Sequence, residues 1–418
     1  MGDRPSQGRR EGPPWAVRPR RWPGSSRPRA DRRRPTSDDV VRPRGAGHIW
    51  VHVVRTRQSA RSPMTRIAAV HGVLAPHRHA QQEITDMVAG QCLAADGDRR
   101  ALDRLHRGAR VRRRHTALPL DRYGELKDFG AVNDAFLTHA VELGAEAVSG
   151  ALDAAGLSAR DVDLLLFTSV TGIAVPSVDA RLVGRLGMRS DVRRLPLFGL
   201  GCVAGAAGVA RLHDYLQGWP EHIAVLLSVE LCSLTFQRDD ASPANLIATA
   251  LFGDGAAAAV ACGTRRHTAA AGAGPTVVAS RSRLYPDTEH LLGWDITASG
   301  FRVVLDPALP DMVRKNLGAD VDTFLSDHGL TRKDVTAWVS HPGGPKVLDA
   351  VAEALDLPDD ALDVSRRSLA EVGNLSSASV LHVLRDTLAE GSRPPAGTPG
   401  LLLAMGPGFC TELVLLRW

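Results

Sequence analysis

The chain has 418 residues, of which 44% are apolar and 23% charged, a composition typical of a soluble globular protein. At about 100–200 residues per domain, this length predicts two or three domains or one large duplicated unit. No apolar run reaches the roughly 18–20 residues of a membrane-spanning helix, which excludes a transmembrane protein. The five cysteines show neither a Cys-x-x-Cys pair nor zinc-ligand spacing, so we expect no disulfide scaffold, no metal and a reducing, cytoplasmic setting.

The net charge of +5 is unevenly distributed. Residues 1–63 contain sixteen Arg, nine Pro and five acidic residues, a charge of +11, so the rest of the chain carries −6. Such a segment cannot bury enough apolar surface to offset its ordering entropy, and we expect a disordered arm. It lacks the apolar stretch of a secretory signal. Its charge alone permits a nucleic-acid or membrane tether, but a non-functional extension before a start at Met64 is favoured, with neither nucleic acid nor membrane as a partner.

Beyond Met64, strand-length apolar runs alternate with helix-period segments, a pattern that predicts an α/β fold. The predicted strands are Val162–Phe167, Ile223–Val229, Gly255–Cys262 and Ala337–Ser340. The predicted helices are Ala135–Ala154, Val203–Gln217, Lys346–Leu355 and Ser377–Leu388. A Gly/Ala/Thr/Arg-rich patch, 263–275, marks the junction of two halves, which we place at 64–268 and 269–418.

Cys202 lies where a strand-like run meets glycines and then a helix of small residues, in the segment Phe198–Gly205. The positive end of a helix favours a thiolate, and an unperturbed thiol is only about 3% ionised at neutral pH. This placement therefore suits a nucleophile, although a lone cysteine is more often a buried core residue.

A histidine and an asparagine occupy two further strand-to-helix turns. Proline after His341 holds the histidine extended, and Gly343 and Gly344 let the backbone approach a ligand closely. Asn374 opens an apolar helix, where an N-cap role is the simpler interpretation. Together, a thiol and two hydrogen-bond donors for an oxyanion suggest one site.

Five segments together resemble the signatures of type III polyketide synthases, the chalcone-synthase-like family. They are Phe198–Gly205, Leu251–Ala257, His341–Pro345, Gly373–Ser377 and Met405–Gly408. The resemblance covers about residues 64–418. It implies a thiolase-type fold, a five-layered αβαβα sandwich of two related halves, in a homodimer that works in secondary metabolism without a cofactor.

The resemblance also implies the roles of the three polar residues. Cys202 would carry an acyl group taken from an acyl-CoA starter. His341 and Asn374 would stabilise the enolate formed when malonyl-CoA is decarboxylated, and His341 would also pair with the Cys202 thiolate. The reaction would be repeated decarboxylative Claisen condensation followed by cyclisation.

The family pattern also assigns residues to the substrate cavity. Phe252 matches a gatekeeping phenylalanine, and Thr235 and Ser376 match cavity-lining positions. Four cavity positions depart from the plant enzymes: Val303, Trp294, Val170 and Val175, the last matching a residue that reaches the partner subunit's cavity. We interpret the three valines as an apolar, non-aromatic lining that favours an aliphatic acyl-CoA starter and an alkylpyrone or alkylresorcinol-like product.

For the CoA phosphates, the family places basic residues on a helix that corresponds to 104–114 here. Arg104 matches one phosphate contact. The other two positions are Ala101 and Gly108, and we expect Arg107 and Arg110 to substitute for them, or the segment to be simply a solvated basic face.

Other functions use the same residue types. A 3-oxoacyl-ACP synthase III-type condensing enzyme shares Cys, His and Asn on this fold, but its usual histidine and C-terminal glycine motifs differ. A papain-like protease also has Cys, His and Asn in this order, yet the flanks of Cys202 argue against it. A catalytically inactive thiolase-fold partner and an arm-driven nucleic-acid-binding protein remain further alternatives.

Overall fold

The computed structural model describes residues 65–93, 97–266, 274–389, 391 and 393–418. The Arg/Pro-rich arm and the proposed boundary between residues 268 and 269 lie outside the described residues. The strands are β1 (Thr65–Leu74), β2 (His77–Ala80), β3 (Arg113–Thr116), β4 (Leu164–Thr168), β5 (Arg193–Leu197), β6 (Ile223–Leu231), β7 (Asp254–Cys262), β8 (Thr276–Leu284), β9 (Leu292–Thr297), β10 (Gly300–Leu305), β11 (Ala337–Ser340), β12 (Pro399–Gly406) and β13 (Cys410–Arg417).

The α-helices alternate with these strands along most of the chain. They are α1 (Gln81–Cys92), α2 (Arg99–Gly108), α3 (Phe129–Ala154), α4 (Val178–Arg185), α5 (Ala204–Gly218), α6 (Pro243–Leu251), α7 (Leu309–Ser326), α8 (Pro345–Leu355), α9 (Asp363–Val372) and α10 (Ser377–Leu388). All eight elements predicted from hydrophobic periodicity are confirmed, with ends that differ by a few residues except at α3, which begins six residues earlier.

Nine of the described strands form one sheet in the order β11-β12-β13-β8-β1-β7-β6-β4-β5. Within it, β4, β6, β7 and β1 repeat the pattern of β11, β12, β13 and β8. In each set the first pair is parallel and the next two pairs are antiparallel. The two sets meet where Thr65 and Arg66 of β1 pair with β8. This repeated order shows two related halves, as the sequence predicted.

The layers follow from alternating apolar side chains on the buried strands. Leu165 and Val225 face a cluster that includes α3, whereas Leu164 and Leu226 face α5 and α10. On the other half, Leu402 contacts the same central cluster, and its neighbours on β12 pack against α7 and α8. The order helix, sheet, central helices, sheet, helix is the predicted five-layered α/β sandwich of thiolase type.

Close packing of the two central helices places the N-terminus of α5 beside that of α10. A Cβ atom added to Gly205 would overlap the carbonyl oxygen of Ser377, so the approach requires glycine. The residues just before each helix, Cys202 and Ser376, are therefore brought together. Among the described residues, no helix has both the length and the apolarity needed to cross a membrane.

Candidate active site

Cys202 is held in a turn of 3₁₀-helix, Gly201–Val203, that leads directly into α5. Gly201 has φ +56°, and a Cβ there would lie 2.6 Å from the ring of Pro407. Only glycine combines this backbone conformation with this close approach. The turn 405–408, one of the five family-like segments, thus packs against the turn that presents the sulfur.

His341 follows β11 directly, and its backbone N–H donates to Leu403 of β12 at 2.9 Å. The side chain is buried. Neither ring nitrogen has a hydrogen-bond partner among the described residues. Burial lowers the pKa of the imidazole to about 3, so the ring is neutral in this state. A neutral ring with two open nitrogens is prepared to bind a ligand or accept a proton.

Asn374 is hydrogen-bonded to three other segments of the site. Its backbone N–H donates to Leu251 at 2.8 Å, and its carbonyl accepts from Gly253 at 3.0 Å. Its Nδ2 donates to the carbonyl of Gly343 at 3.1 Å, and its Oδ1 accepts from the N–H of Ser376 at 2.8 Å. This last bond is made to the residue before α10, and no side chain caps that helix, so the N-cap role predicted for Asn374 is wrong. The same bonds also fix the amide beside Cys202.

The thiol of Cys202 lies 3.5 Å from the hydroxyl of Ser376. Burial raises the pKa of this thiol to about 12, and the Glu230 carboxylate adds to the rise, while hydrogen bonds from Ser376 and Asn374 oppose it. The thiolate expected at the helix end is therefore not favoured in this state, because burial disfavours the charged form of the sulfur. The predicted bond between Cys202 and His341 is also absent, since the imidazole nitrogens have no partner.

An outer cavity of about 600 Å³ leads from the surface to the three predicted catalytic residues. It is lined by Cys202, His341, Asn374, Gly343, Gly344, Phe252 and Arg104, among others. The structure therefore brings together seven of the residues singled out from the sequence. Most of the remaining wall is apolar, which excludes water from the reacting centre.

A second, inner cavity of about 50 Å³ lies on the other side of Phe252, whose side chain lines both spaces. Thr235, Trp294 and Val303 line the inner cavity, as predicted. Trp294 and Val303 are directly opposite each other on the β9–β10 hairpin. The position of Phe252 between the two spaces agrees with the predicted gatekeeping role.

The predicted non-aromatic lining is wrong. Four aromatic side chains face the inner cavity, from Tyr123, Phe236, Phe252 and Trp294. Val170 is buried and hydrogen-bonds Glu230 through its N–H at 3.1 Å, but it lines neither cavity described above. Val175 is fully exposed on the surface of this chain. Each valine changes only its own position in the lining, whereas the aromatic rings belong to segments that are far apart in the sequence.

The mouth of the outer cavity carries two cationic side chains, Arg104 and Lys346. Sequence reasoning identified Arg104 and missed Lys346, which follows the proline that starts α8. Arg107 and Arg110 face a separate pocket, so the expectation that they replace the missing family contacts is wrong. Arg107 lies about a sixth of a turn from Arg104 on the surface of α2, and Arg110 lies beyond the end of that helix with φ +55°.

Two buried charged residues near the site were not singled out from the sequence. Glu230, at the end of β6, accepts hydrogen bonds from Ser377, Thr171 and Val170, and burial raises its pKa to about 7. Arg114, on β3, lines the inner cavity. No periodicity reveals these residues, although a charged residue inside an apolar strand run was a usable signal for Glu230. Within the described residues, no group of His, Cys, Asp or Glu could hold a metal ion.

The comparison with known families decides what this arrangement is. Residues 51–264 match the model described as chalcone and stilbene synthases, N-terminal domain, and residues 276–418 match the corresponding C-terminal domain. The chain belongs to the chalcone and stilbene synthase family. It is a type III polyketide synthase, an acyltransferase that condenses acyl units, and the condensing enzyme of fatty-acid initiation, the protease and the nucleic-acid-binding protein are set aside.

Relatives within this family support the same activity. The chain is 60% identical to a 1,3,6,8-tetrahydroxynaphthalene synthase of Streptomyces peucetius subsp. caesius, over 91% of this chain and 98% of the relative. It is 32% identical to a phloroglucinol synthase of Pseudomonas fluorescens, over 85% and 99%. The crystal structure of the Streptomyces coelicolor tetrahydroxynaphthalene synthase superimposes with a TM-score of 0.79 at 31% identity, covering 84% of this chain and 99% of that one.

Proposed function

We propose that this type III polyketide synthase uses malonyl-CoA as both starter and extender and closes the resulting pentaketide to a polyhydroxylated naphthalene. The observation that carries the proposal is the lining of the inner cavity, which is aromatic and rich in hydroxyl groups rather than aliphatic. The relatives named for tetrahydroxynaphthalene synthesis support the same class of product.

The three residues at the end of the outer cavity would divide the chemistry. Cys202 attacks the starter thioester, the C–S bond to CoA breaks, and the thiol proton passes to the departing CoA through His341. His341 and Asn374 then donate hydrogen bonds to the thioester carbonyl of the next malonyl-CoA. Loss of CO₂ leaves an enolate that attacks the Cys202 thioester and frees the sulfur. Asn374 retains an N–H for this task, because one of its two amide hydrogens is used on Gly343.

The neutral state of Cys202 and His341 fits this cycle. Each charge alone is disfavoured by burial, but transfer of the thiol proton to the imidazole creates two charges that offset each other's desolvation. The reactive thiolate would therefore form together with the imidazolium when a substrate brings the two groups into contact. The pKa of Glu230 is about 7, so its carboxyl group is partly ionised at neutral pH. Glu230 lies close enough to the sulfur of Cys202 to raise the pKa of that thiol.

The starter argument rests on the chemistry of the lining. At about 50 Å³, the inner cavity has space for a few water molecules, so an alkyl chain and a polyketide chain would both have to displace its walls, and volume alone does not select the starter. Its lining also offers hydroxyl groups from Tyr123, Ser233, Thr235 and Thr249, which suit the oxygens of a poly-β-ketone. The alkylpyrone or alkylresorcinol product inferred from the sequence depended on an aliphatic lining, and that premise no longer holds.

The test is to incubate the purified enzyme with malonyl-CoA alone and with malonyl-CoA plus C6–C16 acyl-CoAs, and to identify products by mass spectrometry. We expect a tetrahydroxynaphthalene-type pentaketide from malonyl-CoA alone. The Cys202→Ala variant should form no polyketide yet still release CO₂ from malonyl-CoA through His341 and Asn374. If the wild-type enzyme requires a long-chain acyl-CoA before any product appears, the proposal is overturned.

We also propose that the enzyme works as a homodimer in the cytoplasm. Four exposed apolar side chains cluster in sequence around β5 and the segment after β4: Ile173, Val175, Leu195 and Phe198. Val175 is 100% exposed in the single chain, and apolar surface of this kind marks an interaction site. Covering by a second copy accounts for these residues. All five cysteines are free thiols, which suits a reducing compartment.

A further inference from the structure

The interior of the protein contains an arginine whose hydrogen-bonding capacity is largely unused. Arg114 is 2% exposed, and its Nη1 donates to the carbonyl of Phe252 at 2.7 Å. Its Nε and Nη2 have no hydrogen-bond partner among the described residues. Leaving charged donors unpaired inside a protein is costly, so such groups generally serve a ligand or a specific neighbour.

No side chain of the described residues completes this guanidinium. Asp254 is the acidic residue that interacts with it electrostatically, but neither Nε nor Nη2 of Arg114 has a hydrogen-bond partner in the described part of the chain. The carboxylate of Asp254 instead accepts the N–H of Ala117 and the N–H of Ser233, each at 2.7 Å, and the hydroxyl of Ser233. Its oxygens are committed, and Arg114 retains a net positive charge with open donors.

The other titratable groups near Arg114 do not compete for it. His79 is opposite it on β2, and His106 lies close enough for its pKa to be lowered by the guanidinium. Burial also lowers both histidine pKa values, so both rings are neutral and carry no negative charge. The pKa of Arg114 itself falls to about 10 through desolvation, which leaves it charged at neutral pH.

Arg114 belongs to the wall of the inner cavity, and its two unpaired nitrogens are buried behind that wall. Arg114 lines that cavity together with Phe252, which separates it from the outer cavity that contains Cys202. The aliphatic stem of Arg114 is fixed against Gly253 and Gly373, on either side of the Phe252–Asn374 contact. A chain that grows from Cys202 past Phe252 therefore advances toward a buried cation.

We propose that Arg114 binds the carboxylate at the free end of a polyketide chain that was started from malonyl-CoA. The inference rests on the proposed use of malonyl-CoA as starter. When Cys202 takes a malonyl group, the bond to CoA breaks at the thioester and the far carboxylate is retained. Each extension pushes this carboxylate deeper by one two-carbon unit, so that it reaches the guanidinium as the chain enters the inner cavity.

An arginine–carboxylate contact in this place has two effects. The paired N–H donors fix the chain end by charge-assisted hydrogen bonds, which holds the poly-β-ketone in one fold for cyclisation. Pairing also stabilises the carboxylate as an anion, which slows its premature loss as CO₂. A neutral alkyl chain end would leave Arg114 unpaired and gain neither effect, so Arg114 would act as a residue that selects the starter.

The experiment compares Arg114→Gln and Arg114→Lys with the wild-type enzyme and with Arg113→Gln as a matched control. Arg113 is the next residue on β3, but it is partly exposed and pairs with Glu371 outside the cavity. Each enzyme is assayed with malonyl-CoA alone and with hexanoyl-CoA plus malonyl-CoA. Full-length pentaketide, early-release pyrones and hexanoyl-primed products are quantified by mass spectrometry, and thermal unfolding checks that each variant is folded.

For Arg114→Gln we expect the malonyl-only pentaketide to fall at least about tenfold relative to hexanoyl-primed turnover, with early-release products rising. Arg114→Lys should retain intermediate activity because it keeps the charge but loses the paired donors. Arg113→Gln should match the wild type. Equal losses with both starters, or no loss, would overturn the role of Arg114. A wild-type enzyme that is inactive on malonyl-CoA alone would instead overturn the proposed function and this inference with it.

Discussion

The sulfur of Cys202 contacts the hydroxyl of Ser376 at 3.5 Å, and Ser376 adopts a left-handed backbone with φ +47°. Serine rarely adopts this conformation, and such strain costs about 1–3 kcal/mol. The N–H of Ser376 is held by Oδ1 of Asn374, so the asparagine amide and the serine hydroxyl reach the sulfur as one unit. In the substrate-free site, polar contacts therefore hold the thiol of Cys202, whereas the ring nitrogens of His341 have no hydrogen-bond partner among the described residues.

Replacing His341 by Gln should reduce the reactivity of Cys202 toward iodoacetamide at pH 7 when malonyl-CoA is present, because we propose that a substrate brings the thiol and the imidazole into contact. The imidazolium is the one positive partner we propose for the thiolate, and an adjacent opposite charge lowers a pKa by about 1–3 units. Without it the pKa of Cys202 should approach the value of about 12 that burial produces. The alkylation rate at pH 7 should then fall at least about tenfold.

The pH dependence of the alkylation rate also tests whether His341 stabilises the thiolate of Cys202. Below its pKa a thiol gains about tenfold more thiolate for each pH unit, so the His341→Gln rate should keep rising toward pH 10 while the wild-type rate levels off earlier. The difference between the two enzymes should therefore narrow as pH increases. Identical pH profiles would show that His341 does not stabilise the thiolate.

Sequence reasoning located the three proposed catalytic residues because each lies in a turn that is defined locally. Cys202 and His341 follow β5 and β11 and precede helices, with glycine or proline beside them. Asn374 instead follows α9, so the strand end expected before it is wrong. The close packing of α5 against α10 and the bridge between Phe252 and Asn374 bring these turns together. Patterns of a few residues were sufficient for this part of the site.

The lining of the cavity and the ionisation of Cys202 were not predictable in the same way. Tyr123, Phe236 and Trp294 reach the inner cavity from three separated segments, and only the tertiary packing brings them together. The helix dipole was visible in the sequence, but the burial that disfavours the thiolate depends on how completely the surrounding layers cover the sulfur. The placement of Arg107 likewise required the helical phase of α2, and that of Arg110 required the point at which this helix ends.

Shortening Trp294 should widen the starter range of the enzyme. Trp294→Ala removes an indole from the wall of an inner cavity of about 50 Å³, and each methylene that becomes buried contributes about 0.8 kcal/mol. We expect kcat/KM for octanoyl-CoA to rise at least about tenfold, measured by the yield of octanoyl-primed products. Ile296→Ala is the matched control, because Ile296 is on the same strand but largely exposed.

If octanoyl-CoA use does not change in Trp294→Ala, cavity volume does not limit the starter. If it rises equally in Ile296→Ala, the effect is a general loosening of the hairpin. A thermal unfolding measurement on both variants separates loss of stability from altered selectivity, because Trp294 is only partly buried and its truncation should leave the fold intact.

Charging the exposed apolar surface after β4 and β5 should prevent dimerisation. Val175→Glu and Phe198→Glu place a carboxylate where we expect the second copy to cover the surface, and burial of an unpaired charge is strongly unfavourable. Analytical ultracentrifugation should give a dimer for the wild type and a monomer for both variants. Leu284→Glu, which charges another exposed leucine on β8, should remain dimeric. A wild-type monomer at micromolar concentration would contradict the proposed assembly.

Removing the positive charge of Arg104 should weaken CoA thioester binding without changing the chemical step. Arg104 lines the mouth of the outer cavity at a distance from Cys202, so its contact with a CoA phosphate is the same in the ground state and the transition state. Arg104→Ala should raise KM for malonyl-CoA about threefold to tenfold with little change in kcat, and the difference should shrink at high salt because the contact is exposed. Arg107→Ala removes the same charge from the same helix but on the face of a different pocket, and should leave KM unchanged. Equal increases in KM for the two variants would mean that α2 attracts the substrate through its overall charge rather than through Arg104.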